Sequence, residues 1–207
     1  MNQPPQEYPM ASPNKLYQQA HPTGDYHFWQ QAWVVPDLVA ACERWAKVFA
    51  IGPFHVLPAQ TTTAVHRGAE TSFRMQLAVA QAGPVQIELI QQLDAMPSIY
   101  RDVFAPGEGG PHHFCTLNYA YDDTLVHYRQ LGYEVAMEIS SPAGRVGYVD
   151  TRADFGFITE VVEANPGFVA SLERIARTCA AWDGVTDPVR FLRRGGYTTP
   201  DGREVQV

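Results

Sequence analysis

Residues 28–38, FWQQAWVVPDL, and residues 112–123, HHFCTLNYAYDD, open two segments of this chain that read as versions of one another. Each begins with a strand-like run, passes an Asp-containing turn into a helical stretch, and closes on an apolar strand holding one internal glutamate. The closing strands are GPVQIELIQ at 83–91 and FGFITEVVE at 155–163. Such self-similarity is the mark of a tandem repeat of a small module. Gln30 and Glu88 in the first half correspond to His113 and Glu160 in the second, so each half carries a potential ligand near both of its ends. Four coordinating side chains from two pseudo-symmetric halves point to one shared metal site.

Outward from those segments the order of elements repeats. Gln30, Ala32 and Val34 alternate with Gln31, Trp33 and Val35 as a strand requires, and Pro36-Asp37 supplies turn and helix-cap chemistry. In LVAACERWAKVFAIG the apolar Val39, Cys42, Trp45, Ala46 and Phe49 recur at helical spacing, and Gly52 reads as the stop. Three strands are predicted next, near Phe54 to Pro58, Phe73 to Gln81 and Val85 to Gln92. The second half predicts a strand from His113 to Tyr119 and a helix over DDTLVHYRQLG. Three more strands are predicted near Tyr133 to Ser140, Val146 to Thr151 and Phe157 to Val162. A third helix is expected from Phe168 to Trp182, and the tail after it reads as irregular surface covering. The expected organisation is therefore an N-terminal arm (1–25), a first module (26–95), a Pro/Gly-rich linker (96–111), a second module (112–165) and a C-terminal helix and tail (166–207) in one domain.

A chain of 207 residues with 45% hydrophobic content can bury a real core. The net charge of −7 and the lack of a dense Lys/Arg run argue against nucleic acid, whose phosphates need a clustered positive surface. Cys42, Cys115 and Cys179 are too few and too scattered for a disulfide framework or a cysteine metal knuckle. The N-terminus lacks the basic-then-apolar pattern of a signal peptide, and no run is long enough for a membrane span. The expectation is a cytoplasmic protein with a small-molecule substrate and no membrane partner.

Strand alternation makes the ligand set coherent. In VQIELIQ, Glu88 shares a face with Gln86 and Ile90, and in FITEVVE, Glu160 shares a face with Ile158 and Val162. An ionised carboxylate among apolar neighbours is costly unless paired or metal-bound. Either glutamate alone also reads as solvated, or as the partner of an arginine such as Arg74 or Arg145; the matched positions in both halves favour the ligand reading. Gln30 is a weaker donor and reads equally as a satisfied core amide. By alternation His112 and His113 cannot both face the cavity, and His113 is chosen because Cys115 and Leu117 share its face. One imidazole, two carboxylates and one amide oxygen suit a single divalent ion, Zn, Mn, Co, Ni or Mg, with room for substrate oxygens. Such an ion can stabilise the enolate formed when a base removes the proton beside a bound carbonyl.

QQAWVVPDL, AIGPF, VQIELIQ, HHFC and GFITEVVE together resemble the vicinal oxygen chelate superfamily, which includes glyoxalase I, methylmalonyl-CoA epimerase, extradiol dioxygenases and bleomycin-resistance proteins. The resemblance covers about residues 28 to 165. It implies an α+β fold of paired βαβββ modules forming a cupped mixed sheet, here with an added C-terminal helix. It also implies one divalent metal held from the first and last strand of each module, hence by Gln30, Glu88, His113 and Glu160. The set matches the residue kinds of zinc-type glyoxalase I, but the arginine and asparagine with which that enzyme holds glutathione are replaced by Val34 and by the run Leu89 to Gln92. The AIGPF turn and ELIQ strand look closer to the epimerase-like branch. That branch implies Glu160 as acid/base and a second glutamate before the third strand of the first module, a role for which Glu70 is the candidate. The implied function is a metal-dependent epimerase, isomerase or lyase that removes a proton next to a metal-bound carbonyl, with a homodimer expected by family habit. The alternative is a metal-free binding protein of the bleomycin-resistance type, its cup lined by Trp29, Trp33, Phe54, Tyr119 and Tyr148. A ring-cleaving dioxygenase ranks third, since one histidine stands where two are wanted.

Overall fold

The computed structural model describes residues 26–206; the expected N-terminal arm lies outside them. The first module comprises β1 (Tyr26–Val34), α1 (Leu38–Phe49), β2 (Phe54–Val56), β3 (Gln60–His66), β4 (Ala69–Ala82) and β5 (Val85–Gln92). The second comprises β6 (Gly110–Asn118), α2 (Tyr121–Gln130), β7 (Val135–Ser141), β8 (Gly144–Val149), the short α3 (Arg152–Phe155) and β9 (Ile158–Glu163). After them come α4 (Pro166–Ala180), β10 (Val189–Arg193), β11 (Gly196–Thr198) and β12 (Glu204–Gln206).

Local chemistry explains the helices. Asp37 caps α1 by accepting a hydrogen bond from Ala40 N at 3.0 Å, and Asn165 caps α4 by accepting one from Phe168 N at 2.9 Å, with Pro166 at the first helical position. The stop of α1 is Ala50, in left-handed backbone at φ 54°, rather than Gly52. Gly52 is needed for another reason: a Cβ there would meet the Trp182 ring at 2.9 Å. Cys42 and Ala46 of α1 pack with Ile87 and Leu89 on the outer face of β5.

The two modules join through an antiparallel β1–β6 ladder, flanked by the parallel pairs β1–β5 and β6–β9. The mixed sheet curls until β5 also pairs with β4, so the strands β4-β3-β7-β8-β9-β6-β1-β5 form a ring. The far seam is slight. β3 meets β7 through only Val65↔Glu138 and His66↔Met137, and Arg67 at the β3–β4 hairpin turn reinforces it. Its guanidinium donates to Asp102 at 2.9 Å, to Asp150 at 3.0 Å, and to Glu134. The sequence reading leaves QTTTAVH without a strand. In β3 the inward Thr62 and Ala64 alternate with exposed Thr61, Thr63 and Val65, a pattern with almost no hydropathy contrast.

The ring is filled from both ends. Ile99 and Tyr100 of the linker are 0% and 1% exposed and pack with Val34, Phe73, Met75, Ile90, Met137 and Ile158. Burying two such side chains contributes about 1.5–3 kcal/mol each, so this linker is a plug rather than a loose connection. Arg101 fastens it by donating to Asp94 O at 2.7 Å and Gln92 O at 3.2 Å. At the other end Leu172 of α4 packs on Trp29, Cys115, Leu117 and Val162. The tail expected to be irregular instead adds β10, parallel to β2, followed by the β11 and β12 pairings. Among the described residues no helix is long and apolar enough to cross a membrane.

Candidate metal centre

Alternation along four adjacent strands sets the site. On β5, Ile87 and Leu89 face α1 while Ile90 faces the ring interior with Gln86 and Glu88. On β9, Ile158 and Val162 pack into the two interior clusters on either side of Glu160, while Val161 packs outward. In register, Ala32 of β1 lies between Glu88 on one side and His113 on the other. Its single methyl leaves the space between those two longer side chains open. Glu160 lies beside Cys115 on β6 and opposite Tyr148 on β8.

Ligand atoms of Glu88, His113 and Glu160 all lie within 4.8 Å of one another. His113 Nε2 is 3.4 Å from a carboxylate oxygen of each glutamate. The three residues are 8%, 2% and 6% exposed. His113 Nε2 is buried and makes no hydrogen bond of normal geometry, an arrangement that is costly for a polar atom unless something further occupies the space it faces. The donor set fits a divalent ion: two hard carboxylates and one imidazole converge on one buried point. Gln30, the fourth expected ligand, is 5% exposed on the neighbouring strand, where its Nε2 donates to Gln86 Oε1 at 2.8 Å. That bond uses the nitrogen and leaves the amide oxygen, the ligating atom, available. Gln86 Nε2 is buried without a partner.

Charges in the cluster are mutually dependent. Burial alone would raise the Glu160 carboxyl, but the His113 charge outweighs it, aided by the nearby polar groups of Cys115 and Tyr148, and holds the group below its ordinary value. Glu88 goes the other way, raised by burial and by the Glu160 charge against the pull of His113. Burial works against the His113 imidazolium, yet the two glutamates prevail and push it up to about 9. In the metal-free protein an imidazolium therefore sits between the carboxylates. Burial keeps the Cys115 thiol and the Tyr148 and Tyr100 phenols well above their ordinary values, so all three remain protonated. Tyr148 and Tyr100 share a hydrogen bond of 2.9 Å between their hydroxyls.

Some expected residues are not brought to this cluster. Glu70 lies within β4 rather than in a loop, where Phe73 and Met75 face inward and Glu70, Ser72 and Arg74 are exposed on the other face. Thr71 occupies the inward position instead and donates to Pro97 O at 2.8 Å. Of the aromatic residues expected to line a cup, Trp33 and Phe54 belong to the outer layer with α1, and Tyr119 is 61% exposed; Trp29 and Tyr148 do face inward.

The expectation that alternation admits only one of His112 and His113 is also corrected. The β1–β6 register slips twice, once where Trp29 is the extra residue in β1 and once where His112 is the extra residue in β6. A β-bulge turns two consecutive side chains toward one side. His112 is thus 3% exposed, with its Nδ1 2.9 Å from His113 Nδ1 and its Nε2 3.2 Å from Ile99 O. Burial, with the neighbouring His113 charge, lowers its pKa to about 3, so it is neutral. Its Nδ1 is turned to His113, which leaves, among the described residues, a single imidazole facing the glutamates. Tyr148, expected from the sequence only as an aromatic lining the cup, stands opposite Glu160. Tyr100 and His112 carried no such signal.

Comparison with known proteins bears on this architecture. The family described as the Glyoxalase/Bleomycin resistance protein/Dioxygenase superfamily matches residues 29–149. No curated protein matches the chain. Among solved structures, the methylmalonyl-CoA epimerase of Mycobacterium tuberculosis is similar at 18% identity and a TM-score of 0.49, covering 69% of this chain and 91% of that one. A hypothetical protein of Bacillus halodurans is similar at 14% identity and a TM-score of 0.47, covering 68% and 95%. A Streptomyces coelicolor methylmalonyl-CoA epimerase in complex with 2-nitronate-propionyl-CoA is similar at 15% identity and a TM-score of 0.46, covering 66% and 96%. Because the family match runs from β1 to the end of β8 and so takes in most of both modules, this chain belongs to the glyoxalase/bleomycin resistance protein/dioxygenase superfamily.

Proposed function

We propose that this chain is a divalent-metal-dependent enzyme that removes a proton next to a carbonyl group of a small organic substrate, acting as an epimerase, isomerase or lyase. The observation that carries the reading is the enclosed Glu88–His113–Glu160 cluster, with an imidazole nitrogen directed at two carboxylates and left without a hydrogen bond. Glu88, His113, Glu160 and the Gln30 amide oxygen would hold the ion. When bound, a divalent ion supplies Lewis acidity that polarises a carbonyl and lowers the cost of losing the neighbouring proton. Glu160 is the acid/base of this reading, because its carboxyl is held in the ionised form that accepts a proton. Tyr148 and Cys115 stand next to Glu160 on the neighbouring strands and flank its carboxylate. The plug at one end and α4 at the other keep water from the site, which strengthens every charge interaction within it.

The test is the metal content of protein purified without a metal-affinity column, measured by elemental mass spectrometry, followed by solvent-deuterium exchange into carbonyl acids and thioesters. About one equivalent of a divalent metal, lost on His113→Ala, is expected. Glu160→Gln is expected to abolish exchange while leaving the fold intact. Failure to take up Zn, Mn, Co or Ni on reconstitution would overturn the reading.

A further inference from the structure

The cluster depends on an imidazole whose two nitrogens are engaged differently, and the difference is set one residue upstream. His112 Nε2 lies 3.2 Å from Ile99 O. A carbonyl oxygen only accepts, so this nitrogen carries a hydrogen. The two Nδ1 atoms of His112 and His113 are 2.9 Å apart, a gap that holds a single proton.

That proton has two possible owners. If it belongs to His112, that ring is a buried cation, and a neutral His113 must carry its own hydrogen on Nε2, the atom facing Glu88 and Glu160. If it belongs to His113, then His112 is neutral and accepts, and Nε2 of His113 is the nitrogen that presents a lone pair to an ion. The surroundings favour the second. The His112 ring centroid lies 5.1 Å from Tyr100 and 6.4 Å from Phe104, and its nitrogens face a carbonyl and another imidazole. Both carboxylates of the cluster stand on the Nε2 side of His113. The contacts therefore assign the shared hydrogen to His113, whose Nδ1 donates to the Nδ1 lone pair left on a His112 bonded to Ile99 O through Nε2.

We propose that His112 is a positioning residue: it accepts the Nδ1 hydrogen of His113 and so dedicates Nε2 to whatever lies between the glutamates. Its use in holding an ion rests on the metal reading above, but the location of the hydrogen does not. The arrangement needs the bulge, which turns His112 inward beside its neighbour, and it needs the plug, whose Ile99 carbonyl fixes the His112 hydrogen on Nε2. The orientation of the cluster's one imidazole is thereby tied to the backbone of the segment that joins the modules.

Nitrogen–proton correlation spectra of the histidine side chains in the full-length protein test this directly. His112 is expected as the neutral Nε2–H form, and His113 with a hydrogen on Nδ1, both before and after addition of Zn2+. Zn2+ affinity, measured by competition with a chromophoric chelator, is expected to weaken roughly 10–100-fold in His112→Leu, which has no acceptor, and to stay within about threefold in His112→Asn, whose side-chain oxygen can accept the same hydrogen. A hydrogen on Nδ1 of His112 in the unaltered protein would overturn the proposal, as would wild-type Zn2+ affinity in a folded His112→Leu protein. Should His112→Leu not fold, the wild-type spectra and His112→Asn decide. If the unaltered protein takes up no Zn2+, the metal reading falls by itself; spectra of the metal-free protein then uphold the positioning role if His113 bears its hydrogen on Nδ1 and refute it otherwise.

Discussion

Loading the cluster with a metal ion should release a proton, and affinity should fall as the solution is made more acidic. In the metal-free protein the His113 imidazole titrates at about 9, because burial is outweighed by the charges and contacts of Glu160 and Glu88. An ion that bonds to Nε2 must replace the proton there. At pH 7 that displacement costs about 3 kcal/mol, or about a hundredfold in apparent affinity relative to pH above 9, and about tenfold for each pH unit between. Calorimetric titration of Zn2+ in buffers of different ionisation enthalpy counts the protons directly, and about one per ion is expected at pH 7. Glu88, also raised, adds to that release rather than subtracting from it. Release of less than about a third of a proton, or an affinity that does not change between pH 6.5 and pH 8, would refute the reasoning. Stability of the metal-free protein has the opposite dependence. The folded value of His113 lies above the ordinary 6.5, so its contribution is complete below about pH 6.5 and is lost as pH rises through about 9.

Four further outcomes follow from the packing and the ion pairs. Arg67→Met should lower stability by about 1–2 kcal/mol after allowing for solvent at a side chain 34% exposed, and a thermal-melt shift indistinguishable from zero would count against its role at the seam. Asp150, held well below the usual carboxylate range by Arg152 and then by Arg67, should make unfolding easier as pH falls below about 4, and less steeply so in Arg67→Met. Leu172→Ala should cost about 2–4 kcal/mol in urea unfolding because the side chain is 3% exposed against Trp29 and Leu117, and a loss below about 1 kcal/mol would show that α4 does not seal that end. Gly52→Ala should cost about 1–3 kcal/mol and change Trp182 fluorescence, since its Cβ would lie 2.9 Å from that ring; unchanged emission would contradict the close approach.

The repeat, the helices and the outer strands of each module were legible because they rest on periodicities of 3.6 and 2 and, for α1, on the cap residue Asp37. Glu88, His113 and Glu160 were legible for a related reason: a charged or imidazole side chain at an inward position of an apolar strand, repeated in both halves, demands a partner. What escaped was whatever breaks the period. The bulges at Trp29 and His112 shift one residue against the ladder, and nothing in HHFC distinguishes a bulged strand from a regular one. Glu70, the candidate the family resemblance implied, stands one position off the inward face. The plug was read as a connection because Pro97, Pro106 and the glycines around it speak of turns, while Ile99 and Tyr100 are too brief a pair to show periodicity. Thr-rich β3 failed for lack of contrast, since threonine suits either face of a sheet.

The seam between β3 and β7 lies directly across the ring from the β1–β6 ladder. No strand that carries a candidate ligand, β1, β5, β6 or β9, pairs across the seam. Parting the seam would therefore break two residue pairs and the Arg67 contacts while leaving each of those four strands fully paired. The shell resembles a bivalve, hinged along a thick spine that carries the Glu88–His113–Glu160 cluster and fastened at the rim by one arginine. The wall that must keep atomic precision and the join that can yield are as far apart as the ring allows.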